Sequence, residues 1–203
     1  SAIIVPEPGS NTRYYIFTGA ASGNAGGFCY SEVDMTLNGG LGDVIAATKN
    51  TQLFTPSVEK CTAVKHANGL FVWVLAHGIN NNRYYAYLVD CAGVSAPVIT
   101  DIGQVEGWPG WGYLVASPNG QKLGTAMRTV GFELLDFNNA TGVISNNVFL
   151  GNANECYGVS FSPDNSLLYG LKINDGSIWQ WNVNAGSAAA IVASQTSIGT
   201  AGG

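Results

Sequence analysis

GVSFSPDNSLLYG, Gly158–Gly170, has a near-double 45 residues upstream in YLVASPNGQKLGT, Tyr113–Thr125. In both, alternating apolar residues run into Ser-Pro-Asx, a small turn residue follows, and a second apolar run begins. Val159 and Phe161 alternate with Ser160 and Ser162, the period of two that a pleated strand imposes. Pro163 and Asp164 then open a tight turn, because the proline ring fixes φ and the Asp side chain can bond its own downstream backbone. Self-similarity at a fixed spacing is the mark of a repeat architecture.

The flanking sequence fits that reading. Downstream come NDG (Asn174–Gly176), SIWQWNV, NAG (Asn184–Gly186) and the apolar AAAIVAS. Four apolar runs parted by turn signals predict a four-stranded meander, and helical periodicity is absent. The upstream unit keeps the order with YLVAS, PNG, LGTAM, FELLDF, NNATG and VISNNVFL. One unit earlier, TAVKHANGLFVWVLAHG and INNNRYYAYLVDCAGVSAPVI fit again, His66–Gly69 standing where Ser117–Gly120 stand. The first unit is the loosest, with AIIVPEPG, RYYIFTG, a glycine-rich loop GAASGNAGGF, FCYSEVDM and a longer outer segment. The third run of each unit holds Val33-Asp34-Met35, Val89-Asp90-Cys91, Leu135-Asp136-Phe137 or Trp179-Gln180-Trp181. Its Asp residues read as turn caps that end the third strand.

A period near 45 with four strands per unit is the signature of a β-propeller blade, a unit that cannot bury both faces until neighbours stack on it. The sequence therefore predicts an all-β propeller: one domain over residues 1–203, with four-stranded blades near 2–58, 59–105, 106–153 and 154–200 of a larger ring. An open stack of blades exposes strand edges and apolar faces. Expected partners are thus the remaining blades of a parent chain, or a second fragment or copy. Ile198–Gly203 reads as an artificial or proteolytic end, and the start without Met as a processed or excised piece.

Composition narrows the function classes. Gly is 27 of 203 residues, charged residues make up 10% and apolar ones 46%, so the chain is turn-rich and weakly charged yet apolar enough to fold. Net charge is −5 and the Lys and Arg are scattered singly, which argues against a nucleic-acid partner. No apolar run is long enough to insert in a bilayer, and SAIIVPEPGS holds Pro6, Pro8 and Gly9 where a signal peptide would be apolar. Cys29, Cys61, Cys91 and Cys156 lack metal-ligand spacing, and neither a metal nor a cofactor is expected; their even count permits two disulfides in an oxidising compartment, but a chain this apolar does not demand them, and buried free thiols are the preferred reading.

SAIIVPEPGS, YYIFTG, VDMTLNGGLGDV, EKCTAVKHANG, YYAYLVDCAGVSAPV, ASPNGQKL and DFNNATGVIS together resemble a β-propeller segment, of WD40/YVTN-like kind, in large surface proteins of gliding-type bacteria. Those proteins carry C-terminal sorting domains for type IX secretion, sometimes beside immunoglobulin-like modules. The resemblance covers nearly the whole chain and implies a secreted or cell-surface location. It implies no catalytic residue. This chain departs from the pattern by having only four units.

Catalytic motifs are missing: His66 and His77 lie near no GxSxG-type nucleophile, and neither a P-loop nor HExxH occurs. His66 reads as a solvated turn residue. Binding has more support, because loops from strand two to three and from the outer strand to the next blade share one face. They hold His77, Asn80 and Arg83 in HGINNNR, Arg128, and Trp108 and Trp111 in GQVEGWPGWGY. Exposed indoles beside Asn and Arg suit a sugar ring or an aromatic partner residue. Alternatively these two Trp fill the gap between blades two and three, as Trp73, Trp179 and Trp181 are expected to pack between blades. The preferred function is a non-enzymatic scaffold or binding module for a glycan or another surface protein. The alternative is a propeller-type polysaccharide hydrolase or lyase, which predicts two carboxylates, or a His and a metal, converging in one pocket.

Overall fold

The computed structural model describes residues 1–21, 25–151 and 154–201. The chain forms a β-propeller arc of four antiparallel sheets. Sheet 1 holds β1 (Ala2–Pro6), β2 (Arg13–Gly19), β3 (Phe28–Asp34), the two-residue β4 (Asp43–Val44) and β5 (Thr51–Phe54). Sheet 2 holds β6 (Ser57–Lys65), β7 (Val72–Gly78), β8 (Asn81–Asp90), the two-residue β9 (Gly93–Val94) and β10 (Val98–Glu106). Sheet 3 is β11 (Leu114–Ala116), β12 (Lys122–Met127), β13 (Gly131–Asn138) and β14 (Val143–Gly151). Sheet 4 is β15 (Cys156–Phe161), β16 (Leu167–Lys172), β17 (Ser177–Asn182) and β18 (Thr196–Thr200).

The repeat noticed in the sequence is a repeat of turn geometry. Ser117 N donates to Lys122 O at 2.9 Å and Gly120 N to Ser117 O at 2.8 Å; Ser162 N donates to Leu167 O at 2.9 Å and Asn165 N to Ser162 O at 3.0 Å. His66 occupies the same place, its N donating to Phe71 O at 2.9 Å while Gly69 N donates to His66 O at 2.9 Å. The hydroxyls Ser117 Oγ and Ser162 Oγ each accept from the first amide of the next strand, at 2.9 Å in both. In sheet 2 the His66 ring does related work, its Nδ1 accepting from Asn68 N at 3.0 Å.

Burial follows from the stacking. A blade between two others buries both faces, so its strands read as continuous apolar runs rather than alternating ones. In β7, Trp73 and Leu75 face sheet 3 while Val74 and Ala76 face sheet 1, and all four are buried. The core is accordingly divided into three clusters, one for each junction. Sheets 3 and 4 meet through Phe132 and Trp181, ring centroids 5.4 Å apart. Glycine sets that spacing: a Cβ at Gly170 would lie 2.8 Å from the Phe132 ring. No substantial packing joins sheet 1 to sheet 4 among the described residues.

Three expectations change. AAAIVAS is not the fourth strand of its unit: Ala188–Ala193 is an α-helix, α1, and the edge strand is β18 beyond it. Three consecutive alanines favour helix, and the Ser187 hydroxyl caps it by accepting from Ala190 N; an apolar run this short carries no periodicity to tell helix from strand. Turn caps sit at Asp34, Asp90, Asn138 and Asn182, each accepting the amide two residues on. Asp136 is displaced from that row; it lies inside β13 and takes Lys122 Nζ at 2.8 Å and Asn146 Nδ2 at 2.8 Å. None of the four cysteines is in a disulfide, but Cys91 is exposed and only Cys156 is fully buried. The loop expected at Gly19–Phe28 falls partly, and the chain end at 202–203 wholly, outside the described residues.

Candidate functional site

The loop face over sheets 2 and 3 concentrates the chain's polar chemistry in two layers. The upper layer is the segment after β10. Pro109 and Gly110 are buried there, Gly110 against Val58 and Ile79, and this anchoring throws Trp108 outward, 70% exposed. Trp111 lies half-buried with the Arg128 guanidinium stacked 4.5 Å above its ring centroid. Glu155 grips Arg128 from the side, with Nε–Oε2 2.8 Å and Nη2–Oε1 3.1 Å. Trp111, Arg128 and Glu155 therefore form one preorganised aromatic and cationic plate.

The lower layer is buried beneath it. Alternation along β6 places Val58, Lys60, Thr62 and Val64 on one face, and Lys60 is 2% exposed. Its Nζ meets Glu106 Oε1 at 2.7 Å and donates to Ala126 O of sheet 3 at 2.6 Å. Glu133, fully buried on β13, accepts from Gln104 N at 2.8 Å. Gly103 bulges β10 at φ +83°, and any Cβ there would strike Glu133 Oε2 at 2.7 Å. Burial pushes Lys60 down and both carboxyls up from their ordinary values; the charges of Lys60 and Glu106 oppose each other's shift, and the Gln104 amide opposes that of Glu133.

The residues expected on the loop face are thus divided. Trp108, Trp111 and Arg128 stand on it. His77 does not: it is 1% exposed, with Nδ1 2.6 Å from Gly78 O, 3.7 Å from Glu106 Oε2, and its ring edge-on to Tyr84. Burial, then the nearby Lys60 charge, holds its pKa at about 3, so it is neutral and out of reach of a ligand. Arg83 lies out on β8, locked to Asp101 of β10 by two bonds of 2.7 and 2.8 Å. Asn80 is exposed in a left-handed turn, φ 61°, its amide donating to Glu106 O at 2.6 Å. Neither Trp108 nor Trp111 belongs to the core clusters, whereas Trp73 and Trp181 are buried and Trp179 half-buried between blades. His66 is no free turn residue: its ring stacks on Trp73, and Nε2 lies 3.2 Å from Ala140 O of sheet 3.

Sequence reasoning missed Lys60, Glu106 and Glu133. The signal for Lys60 was present, since it falls in phase with the buried valines of SVEKCTAVK. Glu106 and Glu133 follow a bulge and sit in an all-buried run, where alternation gives no direction. Among the described residues no group of three or more His, Cys, Asp or Glu is arranged to hold a metal ion.

No family model and no curated protein matches the chain. Solved structures do. The periplasmic gluconolactonase of Pseudomonas aeruginosa aligns with 98% of this chain and 52% of its own, at TM-score 0.60 and 14% identity. A Bacteroides fragilis protein provisionally described as a 6-phosphogluconolactonase aligns with 97% of this chain and 57% of its own, at TM-score 0.58 and 11% identity. A Bacteroides uniformis protein with the same provisional description gives 97%, 70%, 0.50 and 13%. At these identities the likeness is one of fold, and this chain spans little more than half the length of the first two.

Proposed function

We propose that the chain is the blade-forming part of a propeller hydrolase acting on sugar-derived lactones or related carbohydrate esters, the loop face over sheets 2 and 3 being its substrate wall. The observation that carries this reading is the end-to-end alignment with propellers whose names are those of lactonases. The geometry adds a plate suited to the substrate class. The Arg128 guanidinium, stacked on Trp111 and oriented by Glu155, offers charge-assisted donors to a carbonyl or carboxylate oxygen. The further blades that such lactonases possess, and the secreted or surface location implied by the family resemblance, belong to the same proposal.

The test is hydrolysis of glucono-δ-lactone and 6-phosphogluconolactone, followed by pH-stat above the spontaneous rate, with this chain and with a longer polypeptide that carries it. The expected result is acceleration that Arg128→Gln lowers about tenfold or more while costing less than ~1 kcal/mol of stability. A second reading, a glycan-binding module without turnover, is favoured by the 70% exposure of Trp108. Saturable sugar binding that Trp108→Ala abolishes, with no lactone acceleration, would establish that reading in place of the first.

A further inference from the structure

The apolar junction of sheets 3 and 4 ends, away from the loop face, in a charged pair. Phe132, Leu134 and Asp136 alternate onto the face of β13 that meets sheet 4. Asp136 stands opposite Lys122 of β12, whose Nζ donates to its Oδ1 at 2.8 Å. In sheets 2 and 4 the residue at this level, Asp90 or Asn182, caps a turn. With the cap of sheet 3 moved on to Asn138, the Asp136 carboxylate faces the space between the blades. A bulge brings a third group to it. The β13–β14 register shifts between Leu134 and Asp136, Asn146 takes a left-handed φ of 51°, and its Nδ2 donates to Asp136 Oδ2 at 2.8 Å.

These three side chains line a cleft of about 490 Å³, within the ~300–1,000 Å³ range of small-ligand sites. Sheet 4 supplies its other wall, because the link from β17 to β18 carries α1, which leans onto β14 of sheet 3. Leu134, Val148, Val183 and Ile191 give the cleft an apolar part, and Lys122, Asp136 and Asn146 a polar one. The polar part is not exhausted by its own bonds. The Lys122 and Asp136 side chains are 26% and 38% exposed; Lys122 spends one of its three N–H donors, and Asp136 two of its roughly four acceptor sites. Ammonium and carboxylate neutralise each other, so a charged ligand attracted by one is repelled by the other. A ring of hydroxyls gains from both, donating to the carboxylate and accepting from the ammonium, while its C–H face covers apolar lining.

We propose that this cleft binds a neutral pyranose, with neighbouring hydroxyls shared between the Asp136 carboxylate, the Lys122 ammonium and the Asn146 amide. Lys122 opens β12 and Arg128 follows its last residue, so the site lies at the other end of the blade from the Trp111 and Arg128 plate and does not depend on hydrolysis there. Calorimetric titration at pH 7 with the methyl α-pyranosides of glucose, galactose and mannose, and with sodium glucuronate and glycine as charged comparators, tests it. At least one pyranoside binds saturably, about tenfold or more tighter than either comparator. Asp136→Ala weakens that binding about tenfold or more. Ala188 lines the cleft from an exposed position on α1, so Ala188→Phe narrows the site without entering the core and removes the binding even where Asp136→Ala lowers stability. The proposal is overturned if no pyranoside saturates at concentrations on the order of 10 mM, if glucuronate or glycine binds as tightly as the best pyranoside, or if Ala188→Phe leaves binding unchanged. Loss of binding in Trp108→Ala or Arg128→Gln overturns it as well, because the sugar would then sit on the loop face.

Discussion

The junction between sheets 2 and 3 and the junction between sheets 3 and 4 are built on the same strand geometry with opposite chemistry. The second is apolar: Phe132, Leu134, Leu168 and Trp181 interlock, and glycines at 124 and 170 let the sheets close on each other. The first has an apolar part, around Trp73, Leu75, Leu123 and Phe137, and beneath the loop face a buried polar one in which Lys60 of sheet 2 reaches a backbone carbonyl of sheet 3. Apolar burial is forgiving of direction, whereas a buried ammonium requires its acceptors in place. The polar junction therefore fixes how two blades register at the end where the loops converge, and the apolar one only holds them together.

The largest expected effect breaks that polar contact. Lys60→Ala leaves Glu106 buried without its counter-charge and destabilises by ~3–5 kcal/mol in urea unfolding, as much as Phe132→Ala, a cavity mutation at the apolar junction, at ~3–5 kcal/mol. The double variant Lys60→Met, Glu106→Leu separates the two junctions, because removing both partners returns most of the loss. If the double variant is no more stable than Lys60→Ala, the pair is not what holds this end of the seam.

A smaller effect appears with pH. His77 stays neutral in the fold, its pKa lowered from 6.5 to about 3. The unfolded chain takes up a proton below pH 6.5 while the folded chain does not, so the stability tied to His77 is complete above 6.5 and drains between 6.5 and about 3. The loss is ~1.4 kcal/mol per pH unit at most. Glu106 and Glu133, with raised values, act in the opposite sense where they titrate, their contribution being lost as pH rises. Unfolding midpoints at pH 7.5 and 5.5 should fall for the parent and stay nearly level for His77→Gln; equal slopes would mean that the buried imidazole is already charged. Smallest of all, Arg128→Gln removes a part-exposed pair and should shift stability by less than ~1 kcal/mol, so that any larger loss would make the loop-face plate a structural clamp rather than a binding surface.

Much of the fold was legible because its signals are local. Ser-Pro-Asx turns, NDG and NAG, and strands with a period of two each depend on residues within a few positions, and the structure repeats their hydrogen bonds in three successive blades. Local signals failed where two readings share one composition. AAAIVAS suits either a helix or a short apolar strand, and a serine cap chose the helix; LDF resembles VDC, yet the cap moved two residues on to Asn138. On the loop face Arg128 stacks on Trp111 and Trp108 is exposed, but His77, two residues before the Ile79–Asn80 turn, points inward because β7 faces a neighbour on both sides.

The sequence by itself determined the strand period, the turn chemistry and the blade repeat, since each is a property of a dozen contiguous residues. Tertiary structure alone decided which faces the polar groups enter. Lys60, Glu106 and Glu133 come from β6, β10 and β13, and only the stacking of two sheets brings them within a few ångströms and removes water, so the charges that tune one another there have no signature in any single stretch of the chain.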